Sequence, residues 1–560
     1  MVIVLKGSNH GGVAESERSP TMKGAFAPTA FAPLMFERAH ATGSLVMAVD
    51  EGGRELTFAG FLQQSRQLAE SLTELGVTVG TRVAWQLPTW LETLVLMGAL
   101  AQSGAVQIPI PHIYRKHEVE ATIRQTDADV LITPTVWRTW DFGAMARDVG
   151  HGTSMRLATL DRGTSGTVPL VRPANSPDGL PPRPKIPLAN GVRWIFLTSG
   201  TSSAPKGAQH TDHSVIIPSV TLTDGLALTA QDRAAIAFPL GHIGGVNWIT
   251  ASLLSGCQLL LAERFDDDTI EFFAGRGVTL PGVSTAFHLA YRNAARARSG
   301  RSLFPHARAY PGGGATKPPS LHAELVNEIG GVGIISGYGM TECPIITMAT
   351  INDASDKLAC TEGRPSREME IRILDVASHQ PVAPGDDGQI WVKGPQLFQG
   401  YLDAEATAAV MDDDGFLCTG DIGHLDHDGY MVISGRAKDV VIRKGENISA
   451  KEVEDHLYTH PSIADVAVIG LPDDELGERC CAVIVLRPNC DCPSLTELGT
   501  FLQTCGLMPQ KWPERLDAMV DLPRNAAGKI LKATLVEQLT DGTTPGTAFG
   551  ASGRPRSPVS

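Results

Sequence analysis

Two lysines, far apart in the chain, and the polar clusters between them carry the chemistry that the residues suggest. The run Thr198-Ser199-Gly200-Thr201-Ser202-Ser203-Ala204-Pro205-Lys206-Gly207 brings hydroxyls, backbone N–H groups and one ammonium together. A loop of this composition can cradle phosphate oxygens, with the lysine supplying positive charge. It is not a Walker A loop, which needs Gly-Lys-Ser/Thr; here Lys206 stands between Pro205 and Gly207. Taken alone, the run also reads as a solvated Ser/Thr surface loop. At the other end of the chain, Leu522-Pro523-Arg524-Asn525-Ala526-Ala527-Gly528-Lys529-Ile530 presents a lysine between a glycine and an apolar residue.

Four clusters lie between these ends. Tyr310-Pro311-Gly312-Gly313-Gly314-Ala315 lets a flat ligand approach the backbone. Ser336-Gly337-Tyr338-Gly339-Met340-Thr341-Glu342 offers an aromatic ring for a base, a hydroxyl for a phosphate and a hard carboxylate suited to Mg²⁺. Gly415-Phe416-Leu417-Cys418-Thr419-Gly420-Asp421 holds a carboxylate after a glycine turn, able to accept from ribose hydroxyls; by itself it is also an ordinary turn aspartate. Ser434-Gly435-Arg436-Ala437-Lys438-Asp439 and Arg443-Lys444-Gly445-Glu446-Asn447 concentrate positive charge between two strands.

The elements that must position these groups follow from periodicity. Helix-period segments such as Phe61–Leu75 alternate with short β-rich runs at Arg82–Gln86, Val130–Thr133, Val192–Leu197, Gln258–Ala262 and Gly333–Ile335. Such alternation predicts an α/β fold with mostly parallel sheets. Leu91–Ile110 contains Glu92, Gln102 and Gln107, and reads as a buried helix, a turn at Gly104 and a strand Ala105–Ile110 rather than a membrane span. Around Gly388–Pro395 and Tyr430–Ser434 the pattern changes to short strands with Asp/Gly turns, a small β-barrel-like part. After Gly435 comes a compact α+β unit: helix Ala450–Thr459, strands Ile463–Gly470 and Cys480–Leu486, helix Leu495–Leu502 and the segment Leu522–Leu535. The expected organisation is a flexible arm over 1–25, an N-terminal domain over 26–435, a mobile C-terminal domain over 436–540 and a disordered tail over 541–560. Val171–Pro187 reads as a long surface loop.

Composition limits the function classes. The 560 residues exceed one domain at roughly 100–200 residues each. A net charge of −14 disfavours nucleic acid as a partner, while a small basic site for ATP stays compatible with it. Nine cysteines without a disulfide framework or zinc spacing, and an N-terminus lacking a signal h-region, read as reduced thiols in a cytoplasmic protein with no transmembrane segment.

The order and joint presence of the clusters resemble the AMP-forming acyl-CoA synthetases of the adenylate-forming superfamily, with luciferases and amino-acid adenylation domains. The family pattern T-S-G-T-T-G-x-P-K-G is similar to Thr198–Gly207, and Y-G-x-T-E to Tyr338–Glu342. T-G-D is similar to Thr419–Asp421, G-R-x-K-D to Gly435–Asp439, and P-R-x-x-x-G-K to Pro523–Lys529. Ser203 departs from the family's usual glycine, and Thr316 from its usual proline.

The resemblance implies that a carboxylate attacks the α-phosphorus of ATP to give acyl-AMP and diphosphate, after which the thiol of coenzyme A displaces AMP. It implies catalytic roles for Lys529, Thr341, Glu342 and His242, with Glu342 binding Mg²⁺. For ATP and AMP it implies Thr198, Ser199, Gly200, Thr201, Ser202, Lys206, Gly313, Gly314, Ala315, Tyr338, Gly339, Met340, Thr341, Asp421 and Arg436. Lys438 would lie at a hinge, and Lys444 and Gly445 beside the coenzyme A tunnel. Phe238-Pro239-Leu240-Gly241-His242-Ile243-Gly244-Gly245 looks like the family's P-x-x-H-x-x-G element, which gives an acyl pocket with His242, Gly244, Gly245, Asn247 and Gly337. The aspartate that would hold an α-ammonium is replaced by Val246-Asn247-Trp248, so the expected acid is apolar: medium-chain, alicyclic or a steroid side-chain acid. Expected partners are this small-molecule acid, ATP and coenzyme A, with a homodimer left open. Loading of a carrier protein and a non-catalytic nucleotide-binding relative are the alternatives.

Overall fold

The computed structural model describes residues 30–163, 172–174, 188–198, 206–282, 284–298, 302–314, 317–376, 378–443, 446–473, 476–524 and 528–540. The expected arm over 1–25 and tail over 541–560 lie outside them. The largest sheet runs in the order Lys206–Thr211, Val192–Thr198, Val106–Pro109, Arg82–Trp85, Val130–Thr133, Arg156–Thr159, Arg172–Ala174. Its interior pairs are parallel, and an antiparallel strand closes each edge. Every residue of Arg82–Trp85, Val106–Pro109 and Val130–Thr133 is buried, which is why these strands read as continuous apolar runs. The edge strand Arg172–Ala174 corrects the expectation of one surface loop over Val171–Pro187. An edge position tolerates its Pro173, because one side of the strand needs no ladder donor.

The run at Leu91 divides as its pattern predicts, into the helix Leu91–Gln102, a positive φ of 64° at Gly104 and the strand Val106–Pro109. The helix is apolar around most of its circumference and buried along most of its length. Its one carboxylate, Glu92, accepts from Arg54 Nη1 at 2.6 Å and from the Gly163 N–H at 2.9 Å. Arg54 also meets Asp50, and Asp50 meets Arg162, so the buried charge is paired.

A second sheet, Arg233–Ile236, Gln258–Leu261, Val46–Asp50 and Glu55–Thr57, shares the principal core with the first. A third, Tyr310–Gly313, Ile334–Met340, Cys343–Met348 and Arg364–Pro365, carries two of the glycine-rich clusters. The expected β-barrel-like part is an antiparallel meander of Glu370–Leu374, Gly388–Lys393, Leu417–Leu425 and Met431–Arg436.

From Val440 onward a separate sheet forms, with Gly477–Leu486 between Ile463–Asp473 and the parallel strand Arg515–Met519. Strand alternation explains the adjacent cysteines: Cys480 packs into the core beneath Val453 and Leu498, Cys481 into the one beneath Leu522 and Leu535. All nine cysteines are free thiols. No helix among the described residues is long and apolar enough to cross a membrane.

Removing one partner of a buried ion pair leaves an uncompensated charge. Arg54→Ala should therefore cost about 3 kcal/mol, read as a lower midpoint of the first thermal transition. The double variant Arg54→Met/Glu92→Met should recover most of that loss.

Candidate active site

The strands Val192–Thr198 and Lys206–Thr211 pair antiparallel with Thr198 opposite Lys206, so the polar run is the connection of a hairpin. Ser199, Gly200, Thr201, Ser202 and Ser203 lie outside the described residues, as do Ala315, Thr316, Lys444 and Gly445. Thr198 Oγ1 donates to Lys206 O at 3.4 Å. The Lys206 ammonium lies 5.1 Å from the ring centre of Tyr401.

The strand Ile334–Met340 extends through Tyr338, Gly339 and Met340, beyond the Gly333–Ile335 core expected from the sequence. Thr341 and Glu342 form the turn to Cys343–Met348, with Met340 opposite Cys343. The turn is held from two sides. His210 Nε2 donates to Thr341 O at 2.8 Å, and burial lowers that imidazole to about 4, so it stays neutral. Phe398 N–H donates to Glu342 O at 2.8 Å, while Tyr401 Oη donates to Glu342 Oε1 at 2.5 Å. Ile345, a β-branched residue at φ 51°, is kept in that strained conformation by Ser366 Oγ and Gln396 Nε2 on its carbonyl.

Asp421 stands in the strand Leu417–Leu425, directly after Gly420 at φ 75°. Its two oxygens take different donors: Tyr338 Oη at 2.7 Å on Oδ2 and Arg436 Nε at 2.8 Å on Oδ1. Each carboxylate oxygen has a second lone pair, so both remain able to accept a ligand hydroxyl. Burial, reinforced by the Asp421 charge, pushes the Tyr338 phenol far above its usual value and keeps it a neutral donor.

Lys529 approaches this group from the segment between the strand Arg515–Met519 and the helix Lys532–Thr540. Its loop is braced by Arg524 Nη1, which donates to Gly528 O at 2.6 Å. Gly528 has φ 81°, and a Cβ there would lie 3.3 Å from both Ser284 Oγ and the Ala286 Cβ of the N-terminal domain. The Lys529 ammonium is lowered to about 8, first by loss of hydration and then by Arg436, against the opposing pull of Asp421 and Asp439. Lys438 is exposed in the short 3₁₀ turn Ala437–Asp439.

His242 caps the helix Ile243–Ser255, its Nδ1 accepting the Gly244 N–H at 3.1 Å. Nε2 therefore carries the proton and is free to donate. His242 is exposed, yet the protein packed around its ring removes enough hydration to lower its pKa. Other residues expected at the acyl pocket have packing partners. Asn247 Nδ2 donates to Val215 O at 2.9 Å and Ser219 Oγ at 3.3 Å, tying two helices together. A Cβ on Gly245 would lie 2.6 Å from Leu240 O, and one on Gly337 2.9 Å from Met348 Sδ. Of the glycines at 312–314, only Gly314 faces open space; Gly312 and Gly313 abut Ile334 and Gly337.

Two residues of the site were not singled out in the sequence. Tyr401 lies in no charged or glycine-rich cluster, and His210 lies past the end of the phosphate-loop run, in the strand Lys206–Thr211. The signal available for Tyr401 was an aromatic residue directly after Gly400, which has φ 99°.

The chain matches the family model of AMP-binding enzymes over residues 35–402 and that of the AMP-binding enzyme C-terminal domain over 452–529. It is 29% identical over 509 residues to the medium-chain fatty-acid–CoA ligase of Escherichia coli (strain K12), covering 89% of this chain and 88% of that protein. It is 28% identical to the 2,3-dihydroxybenzoate-AMP ligase of Bacillus subtilis (strain 168), covering 92% and 95%. Among experimental structures, ATP-bound MatB from Rhodopseudomonas palustris superposes with a TM-score of 0.79 at 27% identity, over 92% of this chain and 100% of that one.

Gly339 is the position where this geometry is least forgiving. A Cβ there would lie 2.4 Å from Ile345 N. Gly339→Ala should open the turn that carries Glu342, at a cost of about 1–3 kcal/mol, and weaken AMP binding about tenfold or more by calorimetry. Gly314→Ala, which meets no atom within 4 Å, should pay only the strain of a positive φ and bind AMP more tightly than Gly339→Ala.

Proposed function

The chain belongs to the family of AMP-binding enzymes, and from that premise we propose that it is an ATP-dependent carboxylic acid–CoA ligase acting on an apolar acid. The observation that carries the reading is the placement of Lys529, from the C-terminal domain, beside Asp421 of the N-terminal domain and Arg436 at the domain boundary, with Gly528 against Ser284 and Ala286. The acid's carboxylate and the α-phosphate of ATP are both anions, so their approach requires a cation between them. A partly dehydrated lysine supplies one in a low-dielectric site, where it acts more strongly than in water.

In the first half-reaction, Asp421 accepts from the ribose hydroxyls while Arg436 and Tyr338 hold its carboxylate in place. Tyr338 and the backbone at Gly313–Gly314 flank the adenine. Lys206, with Thr198 and the Ser199–Ser202 run, holds the terminal phosphates. His242 donates from Nε2 to the acid's carboxylate. Lys529 contacts the attacking carboxylate and an α-phosphate oxygen; the new C–O–P bond forms as diphosphate leaves. Glu342 fits a Mg²⁺ ion: it is a hard oxygen ligand that shares Tyr401 with the phosphate lysine, and its Oε2 stays open to a cation. Mg²⁺ there would neutralise charge on the terminal phosphates.

In the second half-reaction the thiol of coenzyme A attacks the acyl carbonyl and AMP leaves. The C-terminal domain, 436–540, turns about Lys438, and Lys444 and Gly445 border the thiol's path. The preference for an apolar acid rests on Val246-Asn247-Trp248, which presents no carboxylate for an α-ammonium, its Asn247 being bonded to a neighbouring helix. The relative named 2,3-dihydroxybenzoate-AMP ligase carries no coenzyme A in its name, which leaves room for a second reading, in which the acyl group passes to a carrier thiol instead.

Acid-dependent exchange between ATP and labelled pyrophosphate, run over a panel of carboxylic acids, tests the first half-reaction and its substrate. Thioester formation with free coenzyme A separates the two thiol acceptors. Lys529→Ala should lower pyrophosphate exchange by about a hundredfold or more while still converting supplied acyl-AMP to thioester; equal losses in both half-reactions would remove the lysine from its assigned step. Because Lys529 acts as a cation and is lowered to about 8, kcat/KM for exchange should be level below that pH and fall as pH rises through it. Arg436→Met removes the neighbouring cation and should move the fall to higher pH.

A further inference from the structure

The stretch Phe398–Leu402 is drawn across both ends of the phosphate site. Leu402 N–H donates to Gly207 O at 2.9 Å, Gln209 N–H to Gly400 O at 3.0 Å and Gln399 N–H to Gln209 O at 2.8 Å. The Gln209 side chain adds a bond from Nε2 to Tyr401 O at 3.0 Å. The stretch is thereby zipped to the strand that begins with Lys206. Its other end, Phe398, is bonded to the Glu342 carbonyl.

Tyr401, at the centre, is 8% exposed and makes the side-chain contacts. Its hydroxyl donates to Glu342 Oε1 at 2.5 Å, and its ring face lies under the Lys206 ammonium at 5.1 Å. Thr407 Oγ1 accepts its N–H at 2.9 Å, and the edge of Phe398 packs on it at 4.9 Å. One rigid side chain thus touches both the carboxylate and the ammonium assigned to the nucleotide's phosphates.

Resting on the ATP-dependent reading above, we propose that Tyr401 is a positioning residue that sets Glu342 for a divalent cation and Lys206 for the phosphate oxygens. A carboxylate held by one O–H cannot rotate freely, and its remaining lone pairs keep a fixed direction. Partners of this outer-shell kind commonly change metal affinity by about 10–100-fold when removed. The ring face restrains a flexible four-carbon stem without neutralising its charge.

The test is calorimetric binding of an ATP analogue with a methylene between the α- and β-phosphorus, in Mg²⁺ and in EDTA, to the full chain. Wild type should bind more tightly with Mg²⁺. Tyr401→Phe keeps the ring and loses the hydroxyl; it should bind about tenfold more weakly with Mg²⁺ and nearly unchanged in EDTA, with a thermal midpoint close to wild type. Tyr401→Leu should lose, in addition, about threefold in EDTA, because the ammonium loses its ring. A full Mg²⁺-dependent gain in Tyr401→Phe would overturn the proposal, and so would equal losses with and without Mg²⁺, which indicate a general structural role. Should Tyr401→Leu fail to fold, Tyr401→Phe decides alone. A wild-type chain that bound no nucleotide and exchanged no pyrophosphate would instead overturn the ATP-dependent reading itself.

Discussion

The site depends on one buried anion. Asp421 receives Tyr338 on one oxygen and Arg436 on the other, and its charge opposes the repulsion between Arg436 and Lys529. Two cations brought together in a dehydrated cleft repel strongly, because the solvent that would screen them is gone. Asp421, with Asp439 behind it, makes that approach tolerable. The closeness of the C-terminal domain to the N-terminal cleft is thus an electrostatic arrangement as much as a packing one. The loop of Lys529 also meets the N-terminal domain at Gly528, beside Ser284 and Ala286.

The backbone around this anion is built for proximity. Gly312, Gly313, Gly337 and Gly339 let the strands of the third sheet and the turn at Thr341–Glu342 approach more closely than any side chain would allow. Burial charges are paired where they occur beneath it. Lys317 donates to Ser336 Oγ at 2.7 Å, to Thr361 O at 2.8 Å and to Glu362 Oε1 at 3.2 Å, which uses all three of its protons. That lysine pins the segment after the glycines to the strand that carries Tyr338. Across the cleft, Lys532 meets the buried Glu454 at 2.7 Å and Asp439 at 3.9 Å, so the loop and the turn near Lys438 share one charge network.

The glycines expected at the acyl pocket and the adenine site illustrate how one residue type serves two ends. A glycine can open a pocket or let two backbones touch, and its identity does not say which. Gly245 and Gly337 abut neighbouring atoms, whereas Gly314 opens on free space. Asn247 has the same ambiguity: an amide near a pocket can face a ligand or tie helices, and here it bonds to Val215 and Ser219.

Local pattern was enough for much of this protein. The apolar run at Leu91, broken by Gly104, determined a buried helix and strand, because burial on all sides leaves a continuous apolar sequence. The clusters around Tyr338, Asp421, Arg436 and Lys529 were legible for a related reason. Each packs its chemistry and its turn-forming glycine into a few consecutive residues. Tertiary structure alone decided what joins them. Tyr401 matters through a hydroxyl on Glu342, 59 positions away, and a ring under Lys206. His210 matters through a carbonyl 131 positions away. The lowered charge stability of Lys529 comes from dehydration between two domains. Contacts over such separations arise from how sheets stack and strands cross, and no spacing within a short window encodes them.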